Sequence, residues 1–242
     1  MDWILGGRQG NAGSVGNTIE DLLEIEENNL PLANAGEWEI KAQREGSASL
    51  TTLLHCEPSP TALKFVPQIL LPKYGWVHKL AGTQYPAVEM SFRQTIMGSN
   101  RTDRGFAIVS DTKTKRVVVS FDSTTVDERH AGWLASVKKR VGLGELNPQP
   151  YWGFDDLSSK LRAKLHNTFY GKAEVKREKG KEYFRYAVIE MLSSFDFEKF
   201  LDAIEAGAVA VDFDARTGHN HGTKFRLKQN WLPALYAKSV HL

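Results

Sequence analysis

The chain has 242 residues, 41% of them hydrophobic, and a formal net charge of +2. That length and apolar content allow a real buried core, while the near-neutral balance neither demands nor excludes nucleic acid. The longest apolar stretches, Phe65–Leu71 and Ala206–Val211, fall far short of the ~20 residues a membrane-spanning helix needs, and the start, Met1–Gly7, lacks the basic segment and apolar run of a secretory signal, so a cytoplasmic protein without a membrane partner is expected.

A single cysteine, Cys56, excludes an intramolecular disulfide and a zinc ribbon. His55 adjoins it, but neighbours in a strand point to opposite faces. Cys56 therefore reads as a small core residue rather than an activated thiol. Charge is unevenly spread. Lys and Arg cluster at Lys113–Arg116, Lys138–Arg140, Lys160–Lys164 and Lys172–Lys181, while acids gather in Glu20–Glu27. The asymmetry suits a basic cleft; solvated surface faces are the competing reading.

In chain order, the glycine-rich opening Gly6–Gly16 lacks the Gly-Lys-Ser/Thr ending of a phosphate loop and no apolar strand precedes it. Asn17 or Thr18 then caps a short amphipathic helix carrying Ile19, Leu22 and Leu23 and running to Asn28-Asn29. After Pro31, the segments Leu32–Asn34 and Glu37–Ala42 form a hairpin around Ala35-Gly36. Further strands are expected at Phe65–Leu71, Glu89–Ile96, Gly105–Ser110, Arg116–Phe121, Glu182–Leu192 and Val209–Asp214, and helices at Thr125–Lys139, Phe154–Leu165 and Phe197–Ala206. No linker or repeat divides the chain, so residues 1–242 are read as a single domain. Its fold class is α/β, a central mixed sheet flanked by helices. Candidate catalytic elements fall at about 16–60, and elements suited to contact nucleic acid mostly at 90–242.

The sharpest chemical feature is Glu39-Ile40-Lys41. In an extended chain Glu39 and Lys41 share one face, while Ile40 and Trp38 turn to the core. With Gly36-Glu37 as a two-residue loop, Asn34 stands opposite Glu39, their Cβ atoms ~4.5–5.5 Å apart. Both side chains can then hold one hard cation by oxygen, and Mg²⁺ is the expected ion. Lys41 would orient or deprotonate an attacking water and offset charge on phosphorus. Glu20, read as one turn into the preceding helix, would add a carboxylate at the metal or at Lys41. This is the logic of the PD-(D/E)xK nuclease site, with one conflict: that scheme wants Asp at 34. Asparagine removes a full charge from the metal, so the chain reads as a disabled variant that binds DNA better than it cuts it. A second Glu-x-Lys, Glu174-Val175-Lys176, lies in a dense charged run with no carboxylate paired opposite it and ranks below the first.

Toward the C-terminus, His219, His221, Lys224 and Arg226 can donate to base edges or phosphates, and Arg226 can read guanine bidentately. The two histidines, with no cysteine nearby, lack enough ligands for zinc. Arg93, Arg101 and Arg104, around the Gly98-Ser99-Asn100 turn, and Lys113 in its basic run are candidates for phosphate contact; surface salt bridges are the competing reading.

Taken together, Gly16-Asn17-Thr18-Ile19-Glu20, Gly36-Glu37-Trp38-Glu39-Ile40-Lys41, Ser49–Leu54 with Glu57-Pro58, Tyr151-Trp152-Gly153-Phe154 and Val211–Arg216 with His221-Gly222-Thr223-Lys224-Phe225-Arg226 resemble the MvaI/BcnI-type restriction endonucleases, relatives of the MutH repair nickase. The resemblance covers most of the chain. It implies a restriction-endonuclease-like fold and an often monomeric enzyme that cuts short, nearly palindromic, GC-flanked sites in double-stranded DNA with Mg²⁺, alongside a cognate DNA methyltransferase. By the same resemblance Glu39 and Lys41 match catalytic positions and Asn34 occupies the place of the metal-binding aspartate. Glu20 matches a helix glutamate near the site, and His221, or else His219, a histidine that meets DNA near its central base pair. The alternatives are a MutH-like strand-nicking enzyme and a DNA-binding protein without catalysis.

Overall fold

A computed structural model of the chain describes residues 2–11, 13–25, 33 and 35–242. In chain order it runs β1 (Ile4–Leu5), α1 (Ser14–Leu22), β2 (Trp38–Arg44), β3 (Leu50–His55), α2 (Leu71–Tyr74), β4 (Trp76–Val77), β5 (Met90–Met97), β6 (Phe106–Asp111) and β7 (Arg116–Phe121). There follow α3 (Ala131–Val141), β8 (Tyr151–Gly153), α4 (Phe154–Leu165), β9 (Asn167–Glu178), β10 (Lys181–Phe195), α5 (Phe197–Glu205), β11 (Val209–Arg216), β12 (His219–Asn220), β13 (Lys224–Lys228) and β14 (Tyr236–His241). The mixed α/β class expected from the sequence holds. Among the described residues no helix is long and apolar enough to cross a membrane.

The chain divides into two compact units that interleave along the sequence, the first comprising Met1–Thr51, Ser158–Lys199 and Lys228–Leu242, the second Thr52–Leu157 and Phe200–Leu227. The first is built on a sheet of order β1-β10-β9-β2, with β14 pairing β10 as well. Strands β9 and β10 form a long hairpin whose loop, Lys179-Gly180, has positive φ at both residues, 50° and 77°. That backbone twist matches the right-handed twist of the strands it joins. β2 lies parallel to β9, Glu39 beside Thr168 and Lys41 beside Tyr170. One face of the sheet is apolar: Ile40, Ala173, Phe184 and Tyr186 pack against Val15 and Ile19 of α1. Period-2 alternation then sends Glu39, Lys41 and Gln43 to the opposite face.

The second unit carries a sheet of order β3-β13-β11-β5-β4, with β12 beside β11, and a three-stranded sheet β6-β7-β8. Its core is aromatic. Phe106 lies 5.0 Å from Phe121 between ring centroids, and Phe92 lies 5.6 Å from Phe213. Cys56 is buried, as expected, and its carbonyl accepts the Trp152 indole N–H at 3.1 Å.

Among the expected elements, three depart most from the sequence reading. Phe65–Leu71 is not a strand: Val66–Leu70 makes one π-type turn that leads into α2. Pro67 and Pro72 cannot donate to a sheet ladder yet suit the first turn of a helix. α1 starts at Ser14 rather than after Asn17. Thr18 is not its cap, because its hydroxyl donates to the Ser14 carbonyl and accepts from Gly7 N–H at 2.9 Å. The expected run of that helix to Asn28-Asn29 reaches outside the described residues. The helix expected from Thr125 begins only at Ala131, because Asp122 and Asp127 cap two short 3₁₀ turns ahead of it.

Candidate functional site

The Glu-x-Lys segment stands where the hairpin was expected. Ala35 and Trp38 exchange both backbone hydrogen bonds, at 2.9 and 3.0 Å, which leaves Gly36-Glu37 as a two-residue loop. Gly36 has φ 61°, the positive value that the first position of a primed turn needs. Asn34, expected opposite Glu39, lies outside the described residues.

Glu39 is only 1% exposed. Its Oε1 accepts from Lys41 Nζ in a close ion pair and forms a second ion pair with Lys164 Nζ at 3.4 Å. Its Oε2 is buried and has no hydrogen-bond partner among the described residues. A buried acceptor left unmatched costs about 1–3 kcal/mol, a cost that a cation on Oε2 would remove. Among the described residues no three His, Cys, Asp or Glu side chains converge as a ready metal cage. A hard cation held by one or two protein oxygens, with waters and phosphate completing its shell, does not require one.

The surrounding face is polar but closed. Thr168, beside Glu39 in the register, shares a hydrogen bond with the Tyr236 hydroxyl. Burial pushes the Tyr236 phenol well above its ordinary range, the Thr168 bond opposes this, and the Glu39 charge adds to it, so Tyr236 stays neutral. One step along, Tyr170 lies between Lys41 and Glu190 in the register. Burial and the Glu190 charge raise its phenol as well. Glu190 is matched by Lys172 Nζ at 3.1 Å and the Ser239 hydroxyl at 3.1 Å. Gln43 Oε1 is a second buried acceptor on this face without a partner among the described residues.

Glu20 is partly buried in the last turn of α1, not its first, because the helix begins earlier than expected. The second Glu-x-Lys is paired as structure: Arg185 Nε donates to Glu174 at 3.0 Å and Lys176 pairs Glu178 at 2.9 Å.

In the second unit, β5, β11 and β13 floor a cleft of about 590 Å³. Arg93, Lys224 and Arg226, three of the expected DNA-contacting residues, line it together with Lys79, His78 and Trp76. Asp212 accepts from the Thr95 hydroxyl and from Arg226 at 2.8 Å, and Asp214 pairs Arg93 at 3.4 Å. His219 and His221 are exposed, their rings 4.3 Å apart edge to face. His221 N–H donates to the Asp214 carbonyl at 2.9 Å, and the next residue, Gly222, lines the cleft. Glu57 fastens this loop, accepting from Thr223 N–H at 3.0 Å, the Thr223 hydroxyl at 3.0 Å and Asn220 at 3.4 Å.

The remaining cations differ from one another. Arg101 directs its guanidinium to Gly105 O at 2.8 Å and Ser120 Oγ at 3.0 Å. Arg104 stacks 4.0 Å over the Trp76 ring with its side chain 18% exposed. Both guanidinium groups are held by contacts within the unit. Lys113 is exposed in the β6–β7 turn. Sequence reasoning missed Lys164, Tyr236 and Glu57 as site residues. Lys164 stands in a basic cluster of the sequence, and nothing local aims it at Glu39.

A mixed α/β fold with a buried Glu-x-Lys on an edge strand of one unit and a cation-rich cleft in the other fits a nuclease of the restriction-endonuclease class. The MvaI/BcnI restriction endonuclease family model matches residues 1–236. The chain belongs to the MvaI/BcnI restriction endonuclease family, and with it to the site-specific deoxyribonucleases. Two solved structures are similar to it. Restriction endonuclease MvaI in complex with its cognate DNA substrate is 26% identical, covering 99% of this chain and 91% of that one, with a TM-score of 0.73. MvaI in the absence of DNA is 25% identical over 98% of this chain and 91% of that one, with a TM-score of 0.56. No curated protein matches.

Proposed function

We propose that this protein is a type II restriction endonuclease that hydrolyses double-stranded DNA at a short, near-palindromic site with Mg²⁺, written here in a form impaired at position 34. The observation that carries the reading is the buried Oε2 of Glu39, unmatched among the described residues, beside two lysines. When bound, Mg²⁺ supplies Lewis acidity at the phosphodiester and lowers the pKa of the attacking water. Glu39 and Asn34 would hold it, the asparagine with a neutral amide oxygen in place of a carboxylate. Lys41 orients the nucleophile and offsets charge at phosphorus, and Glu20 lends a further carboxylate to the centre. Arg93, Lys224, Arg226, His221 and His219 read base edges and phosphates from the second unit, and Lys113 adds a phosphate contact. The MvaI complex with cognate DNA supports this assignment of substrate. The protein acts as a monomer on DNA that a cognate methyltransferase would protect at the same site.

Plasmid DNA incubated with Mg²⁺ and either this chain or its Asn34→Asp form tests the proposal. The Asp form is expected to give discrete double-strand fragments through a transient nicked product, abolished by EDTA, and this chain far less. Nicks alone would favour a MutH-like strand-nicking enzyme. DNA binding with neither product would leave a non-catalytic binding protein.

A further inference from the structure

Residues 58–88 contain no Asp or Glu, and neither do residues 129–144. The first stretch includes Lys73 and Lys79, the second Lys138, Lys139 and Arg140. The fold packs the two together within the second unit. Arg140, in the last turn of α3, donates to the Pro72 carbonyl at 2.8 Å and the Gly75 carbonyl at 3.1 Å, and the Trp133 indole N–H donates to the Tyr74 carbonyl at 2.9 Å. The last turns of α2 and α3 thereby meet, with Lys73 on one and the exposed Lys138 and Lys139 on the other. Cations suit helix C-termini, but that preference acts on one helix at a time and does not join two acid-free segments. Neighbouring acids are engaged elsewhere. Asp103, at the opposite end of α3, takes Arg129 and His130 at 2.8 Å each. Glu145 turns onto the Ser120 hydroxyl at 2.7 Å and Phe121 N–H at 2.6 Å. A surface of one sign is self-repelling and favours a polyanion. It also runs on into the cleft: Gly75, which accepts from Arg140, precedes Trp76, and Trp76, His78 and Lys79 line that cleft.

We propose that this surface binds the DNA backbone outside the base pairs read in the cleft, Lys73, Lys138 and Lys139 meeting flanking phosphates. The inference rests on reading the cleft as the DNA-binding face. It gives the basic run at Lys138–Arg140 a division of labour, with Arg140 joining the helices and the two lysines facing the ligand.

The test uses the full chain in EDTA between 50 and 200 mM salt, on two duplexes centred on the site cut by the Asn34→Asp form. One is a hairpin-closed duplex of about 12 base pairs, little more than a helical turn, and the other has about 30. The unmodified chain is expected to bind the longer duplex more tightly and with a steeper salt dependence. Combining Lys73→Gln, Lys138→Gln and Lys139→Gln is expected to flatten the slope of log K against log salt on the long duplex by about 1.8 to 2.7, for two or three lost phosphate contacts, and to weaken binding at least about tenfold at 0.1 M salt. On the short duplex the triple variant should match the unmodified chain, and arginine at the three positions should restore the long-duplex values. Equal weakening on both lengths would mean diffuse charge rather than flanking contact, and an unchanged long-duplex slope would remove the surface from DNA binding; either overturns the proposal. Arg226→Ala separates the two readings. It should weaken binding on both lengths; if it weakens neither while the triple variant fails on the long duplex, the cleft reading falls and the flanking surface stands.

Discussion

A carboxylate with one oxygen doubly paired and the other buried without a partner is a poor arrangement for stability and a good one for a ligand. Glu39 is that residue. Its opposite number in the second Glu-x-Lys, Glu174, is 31% exposed and tied to Arg185, and it leaves nothing for a cation to satisfy. The two motifs share the Glu-x-Lys pattern and differ in burial and partners. Glu39→Gln, introduced into the Asn34→Asp form, is expected to lower the cleavage rate by at least about 10²-fold. Metal-free binding of DNA should be equal or tighter, because a negative charge facing the backbone is lost. Single-turnover cleavage and an anisotropy titration check the two halves; a parallel loss of both would mean that Glu39 is structural.

Elements decide how such residues are presented. The Gly36-Glu37 loop was legible because Gly at a two-residue turn is a local signal, and the face alternation of β2 followed from it. The loop Asn220–Thr223 is different. Its order comes from Glu57, distant in sequence, whose carboxylate accepts three hydrogen bonds from Thr223 and Asn220. Glu57→Ala leaves the Thr223 N–H and hydroxyl unmatched and is expected to cost about 1–3 kcal/mol. It should also weaken binding to the cognate site more than to random duplex, since Gly222 lines the cleft proposed to read DNA and His221 adjoins Gly222 in sequence. Thermal unfolding and paired titrations measure both, and equal weakening on the two duplexes would remove the loop from recognition. Val66–Leu70 shows the converse failure: an apolar run of strand length folds as a helical turn because proline rules the ladder out.

For the whole molecule, the two units share a chain that passes repeatedly from one to the other, and each carries a carboxylate whose titration couples folding to pH. In the first, hydrogen bonds from Arg177 and Arg44, at 2.8 and 2.9 Å, hold the Glu182 carboxyl below its ordinary value of 4.5. In the second, burial raises Asp103, but the His130 hydrogen bond and the charges of Arg104, His130 and Arg129 outweigh it and bring the carboxyl below 3.8. A folded-state pKa below the unfolded one contributes stability that is present above the unfolded value and lost as pH falls through the folded one. Melting temperature is therefore expected to hold down to about pH 5 and then decline, with a shallower acid limb for Glu182→Gln; an identical limb in that variant would rule out Glu182 as a contributor. What sequence alone determined are the features that depend on neighbours in the chain: the hairpin at Ala35–Trp38, the shared face of Glu39 and Lys41, the buried Cys56 and the basic runs. Tertiary structure decided the parallel pairing of β2 with β9, the arrival of Lys164 at Glu39, the internal fastening of Arg101 and Arg104, and the assembly of Arg93, Lys224 and Arg226 around one cleft. Side-chain period and turn chemistry act over two to four residues, whereas parallel strands can meet only after a long crossover, and no local pattern records which distant side chain the crossover delivers.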